Sequence, residues 1–132
     1  MDLCDEFLDA VPESTRSVIE TLLRESDVAV DVLRRQVREH TTRFAVAAAR
    51  DPALDPGLAQ RIEDRCLQLL DRAERDDSDA LRRIVQATCE YYVYEDDADG
   101  DFDSVEGLDD DIEVVNAALF VLGLDELSIS LP

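Results

Sequence analysis

Lysine is absent from this chain of 132 residues, and tryptophan is absent too. Without lysine there is no phosphate-loop lysine and no Schiff-base chemistry. Positive charge is scarce: 13 arginines face 33 carboxylates, and the net charge at pH 7 is −20. A balance this negative argues against binding nucleic acid or an anionic membrane by charge attraction. No apolar run approaches the roughly 18 residues that a membrane span needs. The opening Met1-Asp2-Leu3-Cys4-Asp5-Glu6 is acidic and lacks the basic start of a signal peptide. Cysteine occurs only at Cys4, Cys66 and Cys89, an odd number at wide spacing with no CxxC pair. Disulfide and zinc readings are therefore weak, and all three are expected to be small buried residues of a cytoplasmic protein.

Hydrophobic residues make up 45% of the chain, which separates it from acidic disordered sequences. The length suits one domain over residues 1–132. Apolar spacing is helical nearly throughout. Leu3, Phe7 and Leu8 mark a short first helix that ends at Pro12. Ser14 is placed to cap a second helix with Val18, Ile19, Leu22 and Leu23 inward. A third starts near Asp27 and carries Val30, Leu33, Val37, His40, Phe44 and Ala47/Ala48, stopping at Asp51-Pro52. Asp55-Pro56 reads as an N-cap followed by a first-turn proline. The fourth helix then buries Leu58, Ile62, Cys66, Leu69, Leu70 and Ala73. Asp76-Asp77-Ser78-Asp79 is a turn with an acidic cap. The fifth helix presents Leu81, Ile84, Val85, Thr88 and Tyr92. After a polar loop from Glu95 to about Leu108, a last helix uses Ile112, Val115, Leu119 and Leu122, with Gly123 as its C-terminal cap. Residues 124–132 form a short extended tail whose Leu127-Ser128-Ile129-Ser130-Leu131 alternates like a strand. It either packs on the helices or awaits a partner by strand addition. The expected fold is an all-α, compact bundle of five or six helices.

All 13 arginines lie between Arg16 and Arg83. Residues 91–132 hold nine aspartates, four glutamates and no base, and contribute −13 of the net charge; the first 90 residues contribute −7. Glu20-Arg24, Asp31-Arg35, Glu39-Arg43, Asp71-Arg75 and Asp79-Arg83 each place an acid four residues before a base, the favourable helical order, at about 0.3 kcal/mol per pair. These arginines read as solvated, paired helix faces; Arg34, Arg35 and Arg38 could instead dock an acidic partner. His40 lies on an apolar stripe and reads as a core or boundary histidine. No nucleophile–base set can be assembled from local spacing, so a non-enzyme is expected.

The most informative stretch runs from Tyr91 to Asp111. An EF-hand calcium loop takes oxygens at positions 1, 3, 5, 7, 9 and 12, with glycine at 6. Counting from Glu95 gives Glu95, Asp97, Asp99, Gly100, Asp101, Asp103 and Glu106, with apolar Phe102 at position 8. Glu95 is one methylene longer than the usual first ligand, and Gly107 falls where the exiting helix should already run. Hard oxygen ligands select Ca²⁺ or Mg²⁺ over zinc or copper. Acids in the first turn of a helix also satisfy its free N–H groups, which accounts for Asp109-Asp110-Asp111 without any metal.

The same residues carry a family resemblance. Tyr91, Asp97, the Asp101-Phe102 step, Gly107 and the Asp110-Asp111 pair ahead of the apolar Ile112–Leu119 stretch match in spacing a signature of tyrosine, aspartate, Asp-Phe, glycine and Asp-Asp. In this the chain resembles the YkvA-like family of small helical domains of unknown function. The match covers about residues 91–120. The prolines and the isoleucine of that signature are missing here, with Asp99 and Gly100 in place of its Ile-Pro step. The resemblance implies a helical fold and no settled activity.

The resulting expectation is a non-catalytic, acidic helical interaction or regulatory module that binds a protein partner, one with a basic surface, and carries no organic cofactor. Its alternatives are a Ca²⁺- or Mg²⁺-binding protein using loop 95–106 and a DNA-mimic inhibitor. A fourth explanation gives the charge no partner: abundant Asp and all-arginine bases also suit a salt-rich cytoplasm or a lysine-poor genome, where charge serves solubility.

Overall fold

A computed structural model describes residues 2–94 and 108–130. The described residues are helical, with no strand among them. In chain order the helices are α1 (Leu3–Ala10), α2 (Arg16–Leu23), α3 (Val30–Ala48), α4 (Pro56–Arg75), α5 (Asp79–Tyr94) and α6 (Asp109–Val121), with single 3-10 turns at Glu13–Thr15 and Asp125–Leu127.

Local chemistry sets most of the ends. Asp2 accepts from the Asp5 N–H to start α1, which closes at Val11 ahead of Pro12. Asp55 accepts from the Gly57 and Leu58 N–H groups, with Pro56 in the first turn of α4. Gly123 takes φ 77°, which ends α6 in a Schellman turn. There the Gly123 N–H donates to Phe120 and the Leu124 N–H donates to Leu119 at 2.7 Å.

Three expected starts are corrected. Ser14 does not cap α2: it lies inside the 3-10 turn, and α2 begins after Thr15 with no side-chain cap. Val18 does not face inward on α2 but is 49% exposed, beside a buried face of Ile19, Leu22 and Leu23. Helix α3 does not begin at Asp27 but at Val30, because Gln86 of α5 holds the preceding backbone. Its amide donates to the Ser26 carbonyl at 2.9 Å, and its Oε1 accepts from the Val28 N–H at 2.8 Å. At α5 the cap is Ser78 rather than an aspartate: Ser78 Oγ accepts from the Leu81 N–H while Asp76 holds the Ser78 N–H.

The centre of the fold is α5. It touches each of the other five helices. Ile84, Val85, Ala87, Cys89, Tyr91, Tyr92 and Val93 are buried around its whole circumference, not along one stripe. Around it, α3 and α4 form an antiparallel hairpin, with Arg34 near the start of α3 reaching Asp71 and Glu74 near the end of α4. The stripe Leu33, Val37, His40 and Phe44 of α3 and the row Leu58, Ile62, Cys66, Leu69 and Leu70 of α4 lie buried, as their spacing predicts. Cys66 and Cys89 are buried free thiols, whereas Cys4 is only partly covered.

The tail is not extended throughout. Asp125–Leu127 curl into the second 3-10 turn, and Ile129 is buried against the bundle. Asn116 of α6 donates to the Ile129 carbonyl at 2.9 Å and accepts from its N–H at 2.8 Å. Arg65 of α4 donates to the Leu127 carbonyl at 2.7 Å. The backbone groups that an added strand would use at Ile129 are thus taken up by one side-chain amide.

Candidate functional site

The acidic ligand set Glu95, Asp97, Asp99, Asp101, Asp103 and Glu106 lies outside the described residues, as do Gly100, Phe102 and Gly107. What the structure places is the frame on either side: Tyr94 ends α5, and Leu108, buried, leads into α6. Among the described residues, no group of three or more histidine, cysteine, aspartate or glutamate side chains could hold a metal ion.

The acids at the start of α6 do not cap it. Leu108 occupies the cap position, with no side-chain hydrogen bond. Asp111 is 1% exposed and shares a helical face with the buried Val114, Val115 and Ala118. It points into the bundle, where its place among three acids that read as a helix cap does not put it. Asp109 and Asp110 stay half-covered at the helix N-terminus, where negative charge is favourable.

Buried polar groups cluster on α3 and α5. His40 packs edge-on against Tyr92, with ring centroids 4.5 Å apart and planes at 78°. The hydroxyls of Tyr92 and Thr41 share a 2.7 Å hydrogen bond, and Thr41 also donates to the Val37 carbonyl. His40, Tyr92 and Thr41 are all buried, in keeping with a core histidine. Edge-to-face packing of this kind contributes about 0.5–1.5 kcal/mol beyond burial. With its rings packed and hydroxyls paired, the cluster fixes the register of α3 against α5.

Glu90, one turn before Tyr94, is a charged residue that the apolar spacing of α5 does not place inside. It is 1% exposed, and its Oε1 has no hydrogen-bond partner among the described residues. Burial raises its carboxyl above the ordinary range; Glu25 pushes the same way, and a hydrogen bond from Gln86 pulls against both. Cys66 on α4 is likewise raised well above the ordinary thiol range, first by its hydrogen bond with Cys89 on α5 and then by burial. Neither group resembles an activated nucleophile, which needs a lowered pKa and access to solvent.

On the surface, Arg34 is clamped by Asp31 at 3.1 Å, Asp71 at 2.7 Å and Glu74. The bonds to Glu74 and Asp71 hold its guanidinium firmly charged. Asp31 and Asp71 therefore pair with Arg34 instead of the arginines four residues along. The expected Glu20-Arg24 and Asp79-Arg83 pairs do form, each at 3.0 Å. Above the clamp a cavity of about 280 Å³ opens between residues 27–30, α3, α4 and α5, walled by Leu33, Leu70 and Val85 with Asp27, Glu74 and Arg82 present.

The opposite charge pattern marks the other end of α6. Glu6, Asp9, Glu113, Asp125 and Glu126 are exposed, and no ion pair among the described residues reaches them. Among them stands Phe120, 67% exposed. No helix among the described residues is long and apolar enough to cross a membrane. Comparison with family models, with curated proteins and with solved structures gives no match.

Proposed function

We propose that this chain is a non-catalytic, acidic helical interaction module whose partner is a protein with a basic surface. The observation that carries the reading is the separation of charge: every arginine lies at or before position 83, while the acids from Glu113 to Glu126 have no base to answer them. Eight carboxylates between Glu20 and Asp79 pair with arginines, as around Arg34, whereas Glu113, Asp125 and Glu126 face solvent with no ion pair among the described residues. One-signed charge of this kind speeds encounter with an oppositely charged partner and makes binding salt-sensitive. The YkvA-like resemblance over residues 91–120 agrees with a small helical domain and adds no mechanism.

The test titrates the full chain with an arginine-rich peptide and with a glutamate-rich peptide of equal length. Salt is set at about 0.01 M and then about 1 M, where the Debye length falls from about 30 to about 3 Å. Only the basic peptide should bind, and high salt should release it. Changing Glu113, Asp125 and Glu126 to their amides should weaken binding far more than the same change at Glu20, Asp31 and Glu39. Equal loss from both triple variants would leave net charge alone as the explanation.

The spacing of Glu95, Asp97, Asp99, Asp101, Asp103 and Glu106 around Gly100 favours a second reading, Ca²⁺ or Mg²⁺ binding. Thermal melting with EDTA, Ca²⁺, Mg²⁺ and NaCl at matched ionic strength separates it from screening of a −20 chain. An ion at a hundredfold its dissociation constant should add about 2.7 kcal/mol beyond NaCl. That gain should vanish in the Asp97→Asn/Glu106→Gln double variant.

A further inference from the structure

We propose that the face of α6 around Phe120 docks a basic amphipathic segment of a partner protein, with apolar side chains seated on both sides of the Phe120 ring and arginine or lysine on its acidic rim. The inference rests on the interaction reading above and gives it a place.

Phe120 projects between two open hollows. One, of about 560 Å³, lies toward Pro12, Ala117 and Ser128 and carries Glu113 and Asp125. The other, of about 460 Å³, lies toward Ala10 and Val121 and carries Glu6 and Asp9. Each hollow thus sets apolar side chains beside two carboxylates, and Phe120 forms a wall of both. No arginine lines either one. Arg16 donates to the Leu8 and Val11 carbonyls and Arg65 to the Leu127 carbonyl, and neither makes an ion pair with these carboxylates among the described residues.

Charge decides among occupants. A second copy docking by the same face would set these carboxylates against each other in a two-fold contact. An acidic or phosphorylated segment meets the same repulsion. A basic amphipathic segment satisfies both features at once. Its apolar side chains cover a phenyl ring otherwise left in water, and its cations meet four carboxylates that have no ion pair among the described residues. A protruding aromatic ringed by polar groups is the usual build of an interface anchor. Bound helices commonly present such anchors at i, i+3 and i+4, a spacing that can straddle one ring.

The test uses three synthetic 18-residue peptides: one of leucine with lysine and arginine in helical amphipathic order, one of equal positive charge with serine for leucine, and one of leucine with glutamate. The ¹⁵N-labelled full chain is titrated with each, as wild type, Phe120→Asp, Asp9→Asn/Glu113→Gln and Val46→Asp. Val46, 59% exposed on α3, is the apolar control away from this face. The basic amphipathic peptide should shift the amides of Asp9, Ala10, Ala117, Phe120 and Val121. Phe120→Asp should weaken it at least tenfold, the double variant should flatten its salt dependence, and Val46→Asp should change nothing.

Equal affinity of the serine peptide, or indifference to Phe120→Asp, would overturn the docking face while leaving a general acidic interaction intact. Failure of both basic peptides to bind at low salt would overturn both readings. Dimerisation of the free chain that Phe120→Asp abolishes would assign the face to a second copy and overturn the proposal.

Discussion

Replacing Asn116 by alanine tests how the tail is held. The side chain makes two hydrogen bonds, 2.9 and 2.8 Å long, to the backbone of Ile129. Each contributes about 1 kcal/mol net, so their loss with the tail still in place costs about 2 kcal/mol. Ile129 is buried, and its burial adds about 1.5–3 kcal/mol if the tail lets go. The lower total, about 2 kcal/mol, applies if Arg65 keeps Leu127 in position; the upper, about 4 kcal/mol, applies if the segment after Leu124 peels away. Urea titration reads the difference directly. In a thermal scan each kcal/mol moves the midpoint by roughly 4 °C for a domain of this size. Ile129→Ala in the Asn116→Ala background separates the two cases. If the tail is already free, the second substitution adds almost nothing; if it stays docked, the two costs add. A stability within about 0.5 kcal/mol of wild type, with unchanged exchange of the Ile129 amide, would refute the clamp, because surface changes away from such contacts fall in that range.

Two further outcomes follow from the core. Glu90→Gln should stabilise the protein at neutral pH. The folded state holds the Glu90 proton more tightly than the unfolded chain, so stability falls as pH rises from the ordinary glutamate range through the raised folded value, then levels. The variant should lose that fall and match wild type only at pH well below the ordinary range, as urea titrations across pH would show. A parallel pH profile in the two proteins would refute it. Tyr92→Phe removes one half of the 2.7 Å hydroxyl pair with Thr41, and the expected loss, in urea, is about 1 kcal/mol with the helical circular dichroism unchanged.

What was legible in the sequence was local. Asp55-Pro56 and Gly123 act through their own backbone, so their roles follow from residue type and position. The stripes of α3 and α4 are legible because each helix has one buried side. Features set by distant residues were not. The start of α3 depends on Gln86, nearly sixty residues away, which draws Ser26 and Val28 out of the helix that Asp27 would otherwise begin. On α5 the stripe Leu81, Ile84, Val85, Thr88 and Tyr92 is buried, but neighbours on other sides bury Gln86, Glu90 and Tyr91 as well. Asp111 stands in a run of three acids that reads as a cap, and only the rotation of α6 turns it inward. Phe120 has the spacing of an ordinary exposed position on α6; the hollows beside it are made by α1 and the tail, which sequence spacing does not join.

The central place of α5 also governs when the other helices can become stable. The α3–α4 hairpin closes over a short connection and joins α5 through residues 76–78, so this part of the fold needs only neighbouring chain. Helices α1 and α2 are different. The part of α5 that holds α2 lies about sixty residues downstream, as the Arg83 bond to the Leu23 carbonyl shows, and α1 packs further along the chain still, on α5 and α6. A chain growing from its N-terminus therefore exposes Phe7, Ile19 and Leu22 until α5 has been made. The long loop closures belong to α1 and α2, so the docking of these two helices is the step expected to be slow and late in refolding kinetics.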